Sequence, residues 1–360
     1  MTGVQTCALP ISDTLYKLPM IFEEQGFARM VTKRLGLDKN EPDLADWQRI
    51  VHAVKNPQRR VTVGICGKYM EHNSQPDTYI SVVESLKHGA LENEAEVDIK
   101  WIDVETAQHN MGEHLKDVDA IVVPGGFGTR GVEGKIAAIK YARENNLPFL
   151  GLCLGLQTAV IEYSRHVAKL EGANSQEFDE KTPHPVVAIL KDQRNVDKKG
   201  GTMRLGAEPC IVAPNTLAHH LYGENMVLER HRHRFEVNPK YHRALQEAGL
   251  TLSGTSPDGR LVEMIELSQH PFFIACQFHP EFKSRPTRAH PLFRGLVEAS
   301  VRFAQENGRD SNLTSTRNGD AHSQGEGLFD SGEAAGEYDE YGGMTIASLD
   351  DIRQSIAREN

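Results

Sequence analysis

Cysteine is scarce in this sequence, and what there is does not pair. Cys7, Cys66, Cys153, Cys210 and Cys276 are odd in number, widely spaced and free of any C-x-x-C pattern. That argues against a disulfide framework and a cysteine-rich zinc site, and leads us to expect a reducing, cytoplasmic setting. Long hydrophobic runs are missing too. No stretch approaches the roughly 18 apolar residues that a membrane-spanning helix needs, so no membrane association is expected. A surplus of positive charge is also absent: the formal net charge is -10, whereas a nucleic-acid partner calls for a basic face. Finally, no G-x-x-x-x-G-K-[ST] phosphate loop occurs, so hydrolysis of a nucleoside triphosphate by these residues is not supported. The 39% apolar and 25% charged content that remains is that of a globular chain, and 360 residues allow one large or two ordinary domains.

Three zones follow an N-terminal stretch, residues 1–12, that reads as a fusion scar. Thr2 to Ile11 (TGVQTCALPI) lacks the basic start of a signal peptide, and CALPI matches translated sequencing-adaptor DNA, so native-looking sequence is expected from about residue 13. In the first zone, residues 13–59, Leu44, Trp47, Ile50, Val51 and Val54 recur at helical spacing after Pro42-Asp43, and Asn56-Pro57 breaks the pattern. The second, residues 60–305, alternates β-branched runs (Val61–Cys66, Val97–Ile102, Ala120–Val123, Leu147–Leu152) with helical stretches (Tyr79–Leu91, Val132–Asn145, Gly155–Val167). This order predicts an α/β fold, a mostly parallel central sheet flanked by helices. Closer turn signals between Val186 and Leu252 predict an antiparallel extension, and Leu261–Ile265 and Phe272–Gln277 read as further strands. The third zone, residues 306–360, is rich in Gly, Ser, Asn and acids and is expected to be a disordered acidic tail; Ile346, Leu349, Ile352 and Ile356 form a weak amphipathic pattern at its end.

The strongest chemical signal is an apolar strand running into Gly151-Leu152-Cys153-Leu154-Gly155 and then a helical pattern. Flanking glycines permit a sharp strand-to-helix turn that presents Cys153 over a helix N-terminus, where partial positive charge favours a thiolate. A buried structural cysteine after a strand would look the same in isolation. Phe278-His279-Pro280-Glu281 adds the missing partners: in extended chain His279 and Glu281 project to the same side, so the carboxylate can hold one imidazole nitrogen while the other faces a thiol. A third element, Val122-Val123-Pro124-Gly125-Gly126-Phe127-Gly128, runs a strand into a glycine-rich turn whose amides, with that of Leu154, can bind an oxyanion. His231-x-His233 is a possible ligand pair for a metal, but no further ligand stands at suitable spacing.

In this order, PGGFGTRGVEG, GLCLGLQ, GGTMRLG, RHRHRFEVN and ACQFHPEF resemble the glutaminase domain of the CTP synthases, within the class I glutamine amidotransferases. The resemblance spans roughly Val61 to Ala304, and LYKLPMIFEEQG (Leu15–Gly26) resembles the end of that family's synthetase domain and its linker. It implies Cys153 as nucleophile, His279 as general base and acid, Glu281 as its orienter, and Gly126 and Leu154 as the oxyanion hole. It further implies that Gly126, Leu154, Gly155, Leu156, Gln157, Glu177 and Arg234 hold L-glutamine, the carboxylate taking its ammonium and the arginine its carboxylate. Arg130 is a candidate for coupling to GTP. No cofactor is implied for this stretch; Mg-ATP as substrate, GTP as activator, a UTP- and ATP-binding synthetase domain and a homotetramer are implied for the family's whole enzyme. The phosphate loop and nucleotide sites of that synthetase domain have no counterpart here. Gly67–Ser81 is also longer than the family pattern, with Ile80 where Lys is common. Rival readings are the glutaminase component of another class I enzyme, such as a GMP or anthranilate synthase, or a non-catalytic assembly module on the same fold; RHRHRFEVN counts against the first and the intact Cys153, His279 and Glu281 against the second.

Overall fold

Asp43 starts the first long helix as the Pro42-Asp43 signal suggests: its Oδ1 accepts from the Ala45 amide at 3.0 Å. The computed structural model describes residues 14–37, 42–68, 76–189 and 203–309. Before the sheet come α1 (Leu18–Glu24), α2 (Phe27–Leu35) and α3 (Ala45–Lys55), which ends where Asn56-Pro57 was expected to end it. The alternating core follows as β1 (Arg59–Gly67), α4 (Ile80–Glu92), β2 (Ala95–Asp103), α5 (Met111–Leu115), β3 (Ala120–Val123), α6 (Val132–Glu144), β4 (Phe149–Leu152) and α7 (Leu154–His166). The remainder is β5 (Asn174–Ser175), β6 (Pro185–Ala188), β7 (Arg204–Val212), α8 (Leu217–Tyr222), β8 (Met226–His233), β9 (Glu236–Val237), α9 (His242–Glu247), β10 (Thr251–Thr255), β11 (Val262–Glu266), β12 (Phe273–Cys276) and α10 (Pro291–Glu306).

The main sheet has the strand order β2-β1-β3-β4-β12-β11-β10-β7-β8. Its first five strands are mutually parallel and the rest antiparallel, so the α/β class and the antiparallel extension are both present. The stretch expected as a strand from Val186 lies outside this sheet, in a small one ordered β5-β6-β9. Strands buried on both faces are continuously apolar: all four residues of β3 are buried. Alternate side chains serve two cores. Ile121, Val123, Phe149 and Phe273 pack with residues of α6 and α7, while Val122, Leu150, Leu152 and Ile274 pack with α4, α8 and α10. Each such side chain contributes roughly 1.5–3 kcal/mol on full burial. The described chain continues through Arg309, past the edge expected at residue 305: the guanidinium of Arg309 pairs with Asp119 at 3.3 Å and donates to the Lys116 carbonyl at 2.9 Å. No helix among the described residues is long and apolar enough to cross a membrane. The expected scar, most of the acidic tail, its terminal amphipathic pattern and much of Gly67–Ser81 lie outside the described residues.

This topology brings four strand ends together. The carboxyl ends of β1, β3, β4 and β12 lie at one edge, and successive strands are added to opposite sides of β1, β2 on one and β3 on the other, so the switch point where open α/β sheets form their crevice lies between β1 and β3. Lys68, Pro124, Cys153 and Gln277 are the residues that follow those ends.

Candidate active site

Cys153 is held in a conformation that few non-glycine residues adopt, with φ 51° and ψ -98°. Surrounding contacts impose it. Its amide donates to the Cys276 carbonyl on β12 at 2.7 Å, and the chain then turns directly into α7. A Cβ on Gly155 would lie 2.2 Å from the Val123 carbonyl oxygen, and one on Gly151 would lie 2.8 Å from the Ala275 Cβ. Both flanking glycines are therefore required for the turn to fit beneath β3 and beside β12. Cys153 is left 4% exposed at the first turn of a helix whose leading amides have no intrahelical partner.

His279 follows the end of β12, and its Nδ1 lies 2.7 Å from Glu281 Oε1. The backbone amide of His279 donates to the Arg230 carbonyl on β8 at 2.8 Å, which fixes the ring's base. Gly125 lies against both partners: a Cβ there would meet His279 Cε1 at 3.1 Å and Cys153 Cβ at 3.6 Å. Burial opposes a charged imidazole, but hydrogen bonds to Cys153 and Glu281 and their negative charge outweigh it, raising His279 from 6.5 to about 10. A protonated ring beside a cysteine sulfur is the arrangement that keeps a thiolate nucleophilic.

Gln277 was missed by the sequence reading. Its Nε2 donates to Cys153 Sγ at 3.6 Å, and its Oε1 accepts from Gln157 Nε2 at 3.2 Å. Gln157 also donates to the Phe235 carbonyl at 3.0 Å. No local signal marks it, because β12 ends at Cys276 and the chain bends at residues 277–278, so strand alternation does not carry over from His279 to Gln277.

The glycine-rich turn lies opposite. A Cβ on Gly126 would touch Leu154 Cδ2 at 3.4 Å, so the two residues expected to form the oxyanion hole are neighbours. Two lysines that the sequence reading passed over hold the turn from inside. The Nζ of Lys135, on α6, donates to the Pro124 carbonyl at 2.6 Å, and the Nζ of Lys68 donates to the Phe127 carbonyl. From the other side Glu177 Oε1 accepts from the Gly128 amide at 3.2 Å.

Comparison with known proteins gives the family in which this arrangement occurs. The family model for glutamine amidotransferase class-I matches residues 75–299. The chain belongs to the class I glutamine amidotransferase family. The CTP synthase of Methanocaldococcus jannaschii is 55% identical over 295 residues, covering 80% of this chain and 54% of that protein. The CTP synthase of Carboxydothermus hydrogenoformans is 54% identical over 292 residues, covering 81% of this chain and 54% of that protein. Among solved structures, the glutaminase domain of the Trypanosoma brucei CTP synthase with bound acivicin is 39% identical, with a TM-score of 0.63, covering 67% of this chain and 94% of that one. The chain thus spans about half the length of the curated relatives it matches.

Within this amidotransferase domain the remaining candidates are placed unequally. Gly155 and Leu156 are buried in the first turn of α7, behind Cys153. Glu177 is half-buried at the glycine turn, and Arg234 is half-buried just beyond β8. The segment carrying Arg234 passes close to the nucleophile, with the Arg232 carbonyl 3.9 Å from Cys153 Sγ. The Arg232 guanidinium stacks 5.6 Å from the Phe127 ring, which is 52% exposed at the mouth of the site. Arg130 forms a two-pronged ion pair with Glu105, at 2.9 and 2.6 Å. His231 and His233 turn inward beneath β8, into a buried cluster in which Arg204 bridges Glu236 and Glu263 and His233 bonds Glu236 at 2.8 Å.

Proposed function

We propose that this chain is the glutaminase part of a CTP synthase and hydrolyses L-glutamine through Cys153, His279 and Glu281. The observation that carries the reading is the strained elbow cysteine standing in the hydrogen-bonding reach of an imidazole whose other nitrogen is 2.7 Å from a carboxylate. The sulfur attacks the side-chain amide carbon, and the amides of Gly126 and Leu154 receive the developing oxyanion. His279 gives its proton to the departing ammonia, leaving a glutamyl thioester. It then takes a proton from the water that hydrolyses this thioester, while Glu281 keeps the ring oriented. In this reading Glu177 takes the ammonium and Arg234 the carboxylate of the amino acid, with Gly155, Leu156 and Gln157 shaping the floor.

The ammonia would serve the ATP-dependent amination of UTP to CTP by a synthetase domain, in a cytoplasmic, homotetrameric glutamine-dependent ligase using Mg-ATP and activated by GTP. Arg130 is our candidate on this side for the GTP response; release of its pair with Glu105 would let the neighbouring turn move. The test is to incubate the chain with glutamine, UTP, Mg-ATP and GTP and to follow glutamate and CTP separately. Glutamate is expected, slowly, and CTP is not, since this chain has no phosphate loop. Cys153→Ala should lower glutamate release by about 10⁴-fold; turnover within about tenfold of the parent would sink the assignment.

A further inference from the structure

Lys135 is completely buried, which lysines almost never are unless paired. Burial lowers its amine from 10.5 to about 7, and Lys68 adds to that; the groups acting in the opposite direction are Cys153 and Cys66, and no carboxylate is among them. A methionine of similar length would fill the same space without the cost of dehydrating an amine. What methionine could not do is donate, so the hydrogen bond that the amine makes among the described residues is what the lysine adds.

That bond goes to the Pro124 carbonyl at 2.6 Å. Peptide planarity makes the C=O and N–H of one unit point in opposite directions. Drawing the Pro124 carbonyl inward thus turns the Gly125 amide the other way and fixes the Gly125 Cα, the point from which the next unit, carrying the Gly126 amide, starts. The need is acute because Gly125-Gly126 is the least restrained kind of dipeptide. Proximity agrees: a Cβ on Gly126 would lie 3.8 Å from Lys135 Nζ. The far end of the turn is held independently, with Lys68 on the Phe127 carbonyl and Glu177 on the Gly128 amide.

We propose that Lys135 is the positioning residue of the oxyanion turn, holding the Pro124 carbonyl so that the Gly126 amide faces the place where negative charge develops beside Cys153. This rests on the glutaminase reading above, and its test separates the two. The probe is L-2-amino-4-cyanobutanoate, glutamine with a nitrile in place of its side-chain amide. The Cys153 sulfur adds to the nitrile carbon, one C–N π bond gives way to the C–S bond, and the nitrogen takes the proton of His279. The resulting thioimidate sets its nitrogen where the oxyanion would lie. Iodoacetamide alkylates the same sulfur by displacing iodide and needs no oxyanion site, so it reports on the thiol alone.

Nitrile affinity is measured by protection of Cys153 against iodoacetamide, in the parent and in Lys135→Met. The expected result is about tenfold or greater loss of nitrile affinity, with alkylation of the free protein within about threefold of the parent and a cooperative thermal transition retained. Should Lys135→Met not fold, Lys135→Gln, which is shorter and uncharged, is held to the same expectation. Unchanged nitrile affinity, or equal losses in nitrile affinity and alkylation rate, would overturn the proposal. A parent protein that is alkylated but captures no nitrile would remove the glutaminase reading, and this proposal with it.

Discussion

At the scale of single residues, His279 is under two opposed influences, and the balance has a measurable consequence. Burial favours the neutral ring, while Cys153 and Glu281 favour the charged one and prevail, raising it from 6.5 to about 10. Because the folded value exceeds the ordinary one, folding favours the protonated ring. The stabilisation is complete below about pH 6.5 and is lost as pH rises through about 10. Glu281→Gln weakens the partner that holds this proton. The difference in unfolding free energy between parent and variant should be largest near pH 6 and shrink steadily toward pH 10, as read by urea denaturation. A difference constant across that range would show that Glu281 acts on the fold by packing alone.

Among elements, α7 has the tightest placement, because its first turn lies directly under β3. The 2.2 Å approach of a Cβ on Gly155 to the Val123 carbonyl is to backbone, which cannot yield as a side-chain tip can. Gly155→Ala should therefore lift the helix start and cost about 1–3 kcal/mol of stability, with glutaminase activity falling as the elbow is displaced. An unchanged urea midpoint would mean that this contact is looser than the geometry requires. The antiparallel extension shows why β7 and β8 were expected only as part of a region and not as individual strands. Strand β8 alternates as the pleat requires, but its polarity is inverted: Met226 and Leu228 face outward, 54% and 55% exposed, while Glu229, His231 and His233 are buried. Burial holds His231 down at about 2, and burial raises Glu263, on β11 of the same sheet, to about 7. A search for apolar residues on one face does not find a strand whose inward face is ionisable.

For the whole molecule, α10 closes one face of the sheet against α4, and the chain beyond it is anchored by Arg309. Ending the chain after Arg309 should leave the thermal midpoint unchanged. Ending it after Gln305, within the last turn of α10, should lower the midpoint by several degrees, since about 1 kcal/mol corresponds to roughly 2–4 °C in a domain of this size. Scanning calorimetry of both truncations checks this. A large drop in the longer form would place structural contacts beyond residue 309.

Local chemistry alone determined the parallel βαβ order and the elbow at Cys153; His279 and Glu281 do meet, but through a turn of 3-10 helix over Pro280–Phe282 in place of the expected extended chain. The order and the elbow depend on residues a few positions apart, where strand and helix periodicities and glycine's lack of a Cβ leave little choice. Residue patterns also pointed to the glycine turn as the facing wall. What only the tertiary structure decided is long-range. Placing β12 beside β4, in parallel register from Phe273 with Phe149 to Cys276 with Leu152, brings His279 to the sulfur and turns Gln277 onto it. The same packing buries Lys68 and Lys135. In the sequence both look like ordinary surface lysines, because nothing local marks a carbonyl that will need a donor until a strand end from elsewhere in the chain arrives above it.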